Sequence, residues 1–178
     1  MAWSGSRVMA TADGASQDES ASEAVTIRRA EPQDAAAIGD VWLASWRATF
    51  DFEPGPRDEP GPHDEQIRRW LATELVPQSE TWVAEDPDGI VVGLMALSDE
   101  MIEQLYVAPD WIGRGLGRRL VALAKERRPA GLDLYCFTVN GNARRFYERA
   151  GFTAVAFGDG SNNMERQPDI RYAWRPDR

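Results

Sequence analysis
A chain of 178 residues, 43% hydrophobic and 28% charged, has room for one ordinary domain with a tail, and no run in it nears the roughly 18 consecutive apolar residues of a membrane helix. Its formal net charge of −9 argues against a nucleic-acid backbone as a partner and suits an amine-bearing one better. One cysteine, Cys136, forbids an internal disulfide and points, in the apolar run LDLYCFTV, to a core position. Lys125 is the only lysine among the 20 basic residues.

Residues 1–23 are rich in Ser, Ala, Gly and acids and contain no apolar segment of signal-peptide type, so the sequence predicts a flexible tail. A first strand, VTIRR, spans 25–29. In the following stretch, 31–50, Pro32 suits a helix's first turn, and Ile38, Trp42 and Trp46 repeat at four-residue spacing to give an apolar helical face. The segment 51–65 carries four prolines and two glycines and is predicted as a loop. A second helix, QIRRWLATEL, is expected to stop near Pro77.

Strands at 81–86 and 90–98 flank PDG and predict a hairpin. Another strand, MIEQLYVAP, runs over 101–109, and a glycine-rich turn then opens a helix to about Arg128. GLDLYCFTV (131–139) is a buried strand, NGNARRFYERAGF (140–152) a short helix closed by Gly151, and TAVAF and IRYAW are two last strands. The order βααβββαβαββ predicts one α/β domain over 24–178 with a mixed sheet of about seven strands and about four helices.

The turn Ile112-Gly113-Arg114-Gly115-Leu116-Gly117-Arg118 carries chemistry. The first N–H groups of a helix lack internal acceptors and sit at the positive end of its dipole. Glycines let a phosphate approach that backbone, and Arg114 and Arg118 add charge. The simpler alternative is a glycine-rich turn with no ligand. A P-loop is absent, because no G-x-x-x-x-G-K-[ST] occurs. A dinucleotide fingerprint fits poorly, since Leu120 holds the place of its last glycine and the turn follows the fourth strand.

The string LYVAPDWIGRGLGRRLVALA followed by FTVNGNARRFYERAGF resembles the GNAT superfamily of acetyl-CoA-dependent N-acetyltransferases, and the resemblance extends over about residues 25–176. Residues 112–117 align with the family's first motif, [QR]-x-x-G-x-[GA], in which Gly115 and Gly117 match and Ile112 stands where Gln or Arg is usual. Asn140, Ala143, Phe146, Tyr147, Gly151 and Phe152 match its second motif. Independently, Ala143, Tyr147 and Ala150 fall on one helix face, with small residues beside one phenol.

The resemblance implies the GNAT fold, with strands 101–107 and 131–138 splayed to hold acetyl-CoA. Backbone groups at Leu105, Tyr106 and Val107 would pair with the pantetheine amides, residues 113–118 would cradle the pyrophosphate, and Asn140, Ala143 and Phe146 would complete the cofactor site. Tyr147 would donate to the leaving sulfur. Glu103 is the candidate general base, against a solvent-facing alternative, with His63 a lesser candidate. The acceptor site is expected between the loops around 50–65 and 158–169, with Phe50 and Phe52 as an apolar wall and Asp159, Glu165 and Asp169 attracting a cation. The implied activity is transfer of acetyl from acetyl-CoA to a primary amine of a small molecule or peptide, without a metal, in the cytoplasm, with neither nucleic acid nor membrane as partner. A homodimer stays open. A non-catalytic GNAT-fold module that senses acetyl-CoA is the alternative.

Overall fold
Glu103 is one residue too many for its strand, and that excess shapes the sheet. Ile102 pairs with Leu97 and Gln104 with Ala96, so Glu103 forms a bulge in β4 (Met101–Val107) against β3 (Val91–Ser98). A bulge bends its strand and raises the local twist. Just there β4 parts from its other neighbour, β5 (Leu132–Phe137): the two parallel strands pair only at Met101–Asp133.

The computed structural model describes residues 24–49, 62–163 and 166–176. The expected tail at 1–23 lies outside them, as do Phe50, Phe52 and Glu165. The remaining strands are β1 (Thr26–Arg29), β2 (Glu80–Glu85), β6 (Thr153–Gly158) and β7 (Asp169–Trp174). They form one seven-stranded sheet in the order β1-β2-β3-β4-β5-β7-β6. Every neighbouring pair is antiparallel except β4 and β5. The hairpin between β2 and β3 turns on Asp86, whose side chain accepts from the backbone N–H of Asp88 at 3.0 Å and of Ile90 at 2.9 Å.

Among the described residues four helices cover the sheet: α1 (Ala35–Thr49), α2 (Pro62 to Gln78), α3 (Leu116–Arg127) and α4 (Gly141–Arg149). Pro32 opens a 3-10 turn that leads into α1, as its position suggests. The segment α2 departs from expectation at both ends. It begins at Pro62 rather than after residue 65, because Asp64 and Glu65 suit the positive end of a helix. It also passes Pro77 and ends at Gln78, through a π-helical turn at Leu71–Leu75 in which Val76 N–H bonds the Leu71 carbonyl. A helix that has shifted its hydrogen-bond pattern one residue earlier tolerates a proline with no N–H to give.

Alternation along the strands splits the core in two. Ile102, Leu105, Val107, Leu132, Leu134, Cys136, Ile170 and Tyr172 pack against α3 and α4 on one face. Val83, Leu94, Ala96, Tyr106 and Phe137 pack against α1 and α2 on the other. The helices α3 and α4 each follow one of the two parallel strands. Their N-termini therefore sit at the same end of the sheet, above the opening between β4 and β5.

Candidate active site
Two of the three glycines in the turn are required by backbone conformation. Gly113 and Gly115 have φ of +81° and +82°, a left-handed region that a Cβ disfavours. Gly115 is the N-cap of α3 and its backbone carbonyl accepts from Arg119 at 3.1 Å. It has no side chain to cap the helix, so the first-turn N–H groups at Leu116 and Gly117 are left to a ligand or water. The third glycine does another job. A Cβ on Gly117 would stand 3.3 Å from Phe146 Cζ, so this glycine lets α3 and α4 approach. Arg114 lies over the Trp111 ring at 5.0 Å, and Arg118 is exposed. Ile112 contributes its backbone, with N–H bonded to the Pro109 carbonyl at 3.2 Å.

Asn140 combines a helix cap with a free donor. Its Oδ1 accepts from Ala143 N–H at 3.0 Å, capping α4. Its Nδ2 is buried and has no hydrogen-bond partner among the described residues, and Asn140 is only 6% exposed. A buried amide donor left unmatched is costly, roughly 1–3 kcal/mol, and marks a place where an acceptor from outside belongs.

Ala143 and Tyr147 lie on the buried face of α4, with Ala150 packed beside them. The Tyr147 ring is enclosed by Phe146, Phe152 and Tyr172, with centroids at 5.1, 5.8 and 6.3 Å. Phe146 itself is half-buried between α4 and Gly117. Leu105, Tyr106 and Val107 are fully buried, so their side chains belong to the core and only their backbone can serve a ligand.

Glu103 is partly exposed at the bulge and accepts from Ser98 Oγ. It stands on the β4 side of the opening. His63 lies in the first turn of α2, inside the helix rather than before it. Asp169 is buried and accepts from Asn163 Nδ2 at 2.8 Å, so this carboxylate braces its loop rather than facing solvent. Asp159 is exposed, and hydrogen bonds from Ser161 hold its carboxyl below the usual range. Burial pushes the Cys136 thiol up to about 12, which leaves it an inert core residue.

Sequence reasoning took Trp42 and Trp46 only as an apolar face. Trp42 Nε1 donates to Gln104 Oε1 at 3.0 Å in the core, and the ring lies 5.5 Å from Tyr106. Trp46, partly exposed, stacks on Trp42 at 6.3 Å and 9°. Ser45 Oγ bonds the Val107 carbonyl at 2.8 Å and fixes α1 over the end of β4. The only prior signal was the four-residue tryptophan spacing, which cannot tell a core stripe from the wall of a site.

Among the described residues, no three His, Cys, Asp or Glu side chains come together as a metal site, and no helix is long and apolar enough to cross a membrane.

A family model described as an acetyltransferase (GNAT) domain matches residues 77–154. The chain is 31% identical over 129 residues to the peptidyl-lysine N-acetyltransferase YjaB of Escherichia coli (strain K12), covering 72% of this chain and 82% of that one. The solution structure of apo-form YjaB from E. coli superposes with a TM-score of 0.68 at 25% identity, covering 84% of this chain and 97% of that one. A PaiA N-acetyltransferase from Thermoplasma acidophilum, in complex with coenzyme A, shares the fold with a TM-score of 0.65 at 18% identity, over 85% and 99% of the two chains. The motif residues, the strands that part after one pair, and a relative of this identity and coverage agree: the chain belongs to the GNAT family of acetyltransferases.

Proposed function
We propose that this N-acetyltransferase uses acetyl-CoA to acylate the ε-amino group of a lysine in a protein, in the cytoplasm. The observation that carries the acetyl-CoA part is the buried, unmatched Nδ2 of Asn140, set where α4 starts above the opening between β4 and β5. The E. coli relative is named a peptidyl-lysine N-acetyltransferase, and this supports the lysine reading. Trp46 supports it too, because its stacked, partly exposed ring offers an apolar wall to a lysine's methylene stem.

Acetyl-CoA, when bound, supplies the activated acyl carbon and a thiolate leaving group. The N–H groups at Leu116 and Gly117, with the Arg118 charge, would hold its pyrophosphate at the head of α3. Asn140 Nδ2 would donate to a carbonyl of the pantetheine arm, and β4 backbone between Glu103 and Val107 would pair along it. A backbone N–H on that edge would polarise the thioester carbonyl. Glu103, oriented by Ser98, would take the proton from the attacking amine, directly or through water. The Tyr147 hydroxyl would donate to the departing sulfur from the opposite face of the sheet.

The test is thiol release from acetyl-CoA with a panel of acceptors: lysine-containing peptides, peptides with only an N-terminal amine, polyamines and aminoglycosides. Turnover that requires a lysine side chain is the expected result. Turnover with small amines alone would overturn the lysine reading and leave the acetyltransferase standing.

A further inference from the structure
The one lysine of the chain stands at a mechanical junction. Lys125 lies in the last turn of α3, and its Nζ donates to the carbonyl of Ala150, the C-cap of α4, at 2.6 Å. The same ammonium sits 4.6 Å from the centroid of the Trp174 ring and 5.5 Å from that of Phe152. A helix's carbonyl end and an aromatic face both attract positive charge. On the reading proposed above, the N-termini of α3 and α4 flank the cofactor site, with the glycine turn on one and Asn140 on the other. Lys125 ties the opposite ends of these two helices.

We propose that Lys125 is itself an acetylation site, and that its acetylation slackens α4 and weakens the cofactor site, so that the acyl group this enzyme transfers also restrains it. In the step, the neutral Nζ attacks the acetyl carbonyl carbon of acetyl-CoA. A C–N bond forms, the C–S bond breaks, and the proton lost by nitrogen ends on the coenzyme A thiolate. The amide product keeps one N–H for the Ala150 carbonyl but has no charge for the helix terminus or the rings. Lys125 is partly exposed, and burial lowers its pKa, so more of it is neutral than of an ordinary surface lysine. Phe152 lies against Tyr147 at 5.8 Å, so the junction that Lys125 holds is continuous with the packing of the buried face of α4.

With a single lysine, acetylation of the folded chain is confined to two amines, Lys125 and the N-terminus. The full chain is incubated with acetyl-CoA, and separately with acetyl phosphate, and acetyl groups are mapped by peptide mass spectrometry. Melting temperature and steady-state kinetics follow on the same samples. Lys125 is expected to be acetylated, and the modified protein to melt several degrees lower. Its KM for acetyl-CoA should rise roughly three- to tenfold with little change in kcat, the scale of one lost cation–ring contact and one helix-terminus charge. Lys125→Arg keeps the cation but cannot be acylated in this way, so its melting temperature and KM should match the parent before and after treatment. Lys125→Gln should reproduce the acetylated form; if it fails to fold, protein acetylated after folding carries the test. Acetyl found on the N-terminus alone, or acetylated Lys125 with unchanged melting temperature and KM, overturns the proposal.

Discussion
Met101 and Asp133 form the one pair that joins β4 to β5, and Asp133 N–H reaches across it to the Glu100 carbonyl at 2.7 Å. The Asp133 side chain is buried on the other side of that junction. It accepts from Arg171 Nε at 2.9 Å and from an Arg175 guanidinium nitrogen at 2.8 Å. One carboxylate thus fixes the point from which the sheet opens. Burial alone would raise its pKa, but the hydrogen bonds from Arg171 and Arg175 outweigh that and hold it below the ordinary carboxylate value.

The sign of the resulting pH effect follows from this. A depressed folded-state pKa stabilises the fold above the ordinary Asp value, and the stabilisation is lost as pH falls through the folded-state value. Asp133→Asn should remove that acid-limb dependence and cost about 1–3 kcal/mol at neutral pH, because the arginines lose their counter-charge but remain partly solvated. Urea titrations of parent and variant across acidic pH measure it. Parallel pH dependence in the two proteins would show that the acid-labile group lies elsewhere.

Asn140→Asp separates capping from ligand binding. Aspartate caps a helix as well as asparagine does and suits the dipole, so the ligand-free melting temperature should stay close to the parent's. The variant has no Nδ2 to donate, and acetyl-CoA affinity should fall by about tenfold, the worth of one buried hydrogen bond. Isothermal titration calorimetry with acetyl-CoA gives the affinity. Equal affinity in both proteins would mean that the buried donor does not face the coenzyme.

The glycine turn makes a two-part prediction. Gly115→Ala forces a left-handed conformation on a residue with a Cβ, at a cost of about 1–2 kcal/mol even without ligand. Gly117→Val drives a branched side chain toward Phe146, 3.3 Å from where its Cβ would stand, and so wedges α3 from α4. Both should reduce the melting-temperature rise that saturating acetyl-CoA gives, but only Gly117→Val should be relieved by a second change, Phe146→Ala, that makes room. If the double variant is no better than Gly117→Val, the loss comes from the phosphate side of the turn instead.

How much of this was legible in the chain depends on the range of the interaction concerned. The strands, the hairpin at PDG, the glycine turn and the start of α4 rest on local spacing and turn chemistry, and they stand where the sequence put them. The extension of α2 through Pro77 was hidden, because a π-helical turn is a tertiary accommodation that no propensity announces. Gln104 was hidden for a related reason: its partner Trp42 lies 62 residues away. Glu103 was legible as an odd carboxylate in an apolar strand, but not as a bulge, since a bulge depends on the register of the facing strand. Gly117 was legible as part of the glycine turn but not as the place where α3 meets α4, because its neighbour Phe146 comes from a different motif.

The last prediction assigns the acid and the base. Tyr147→Phe removes a hydroxyl and leaves the ring among Phe146, Phe152 and Tyr172, so the fold and acetyl-CoA affinity should change little. Turnover should fall by roughly 10²- to 10⁴-fold, the range for a positioned proton donor. A drop in kcat at constant KM means lost transition-state stabilisation rather than lost binding. Glu103→Gln should act on a different axis. An acceptor with no base must arrive already deprotonated, so the acidic limb of the pH–rate profile should move toward the amine's own pKa. Ser98→Ala, which leaves the carboxylate but removes the hydroxyl that orients it, should lower kcat more mildly and leave that limb in place. Rates across pH for the three variants decide the roles. A Tyr147→Phe enzyme near the parent rate at every pH would make the phenol a packing group. A Glu103→Gln profile that overlays the parent's would move the search for the base to Asp159 and the loop that carries it.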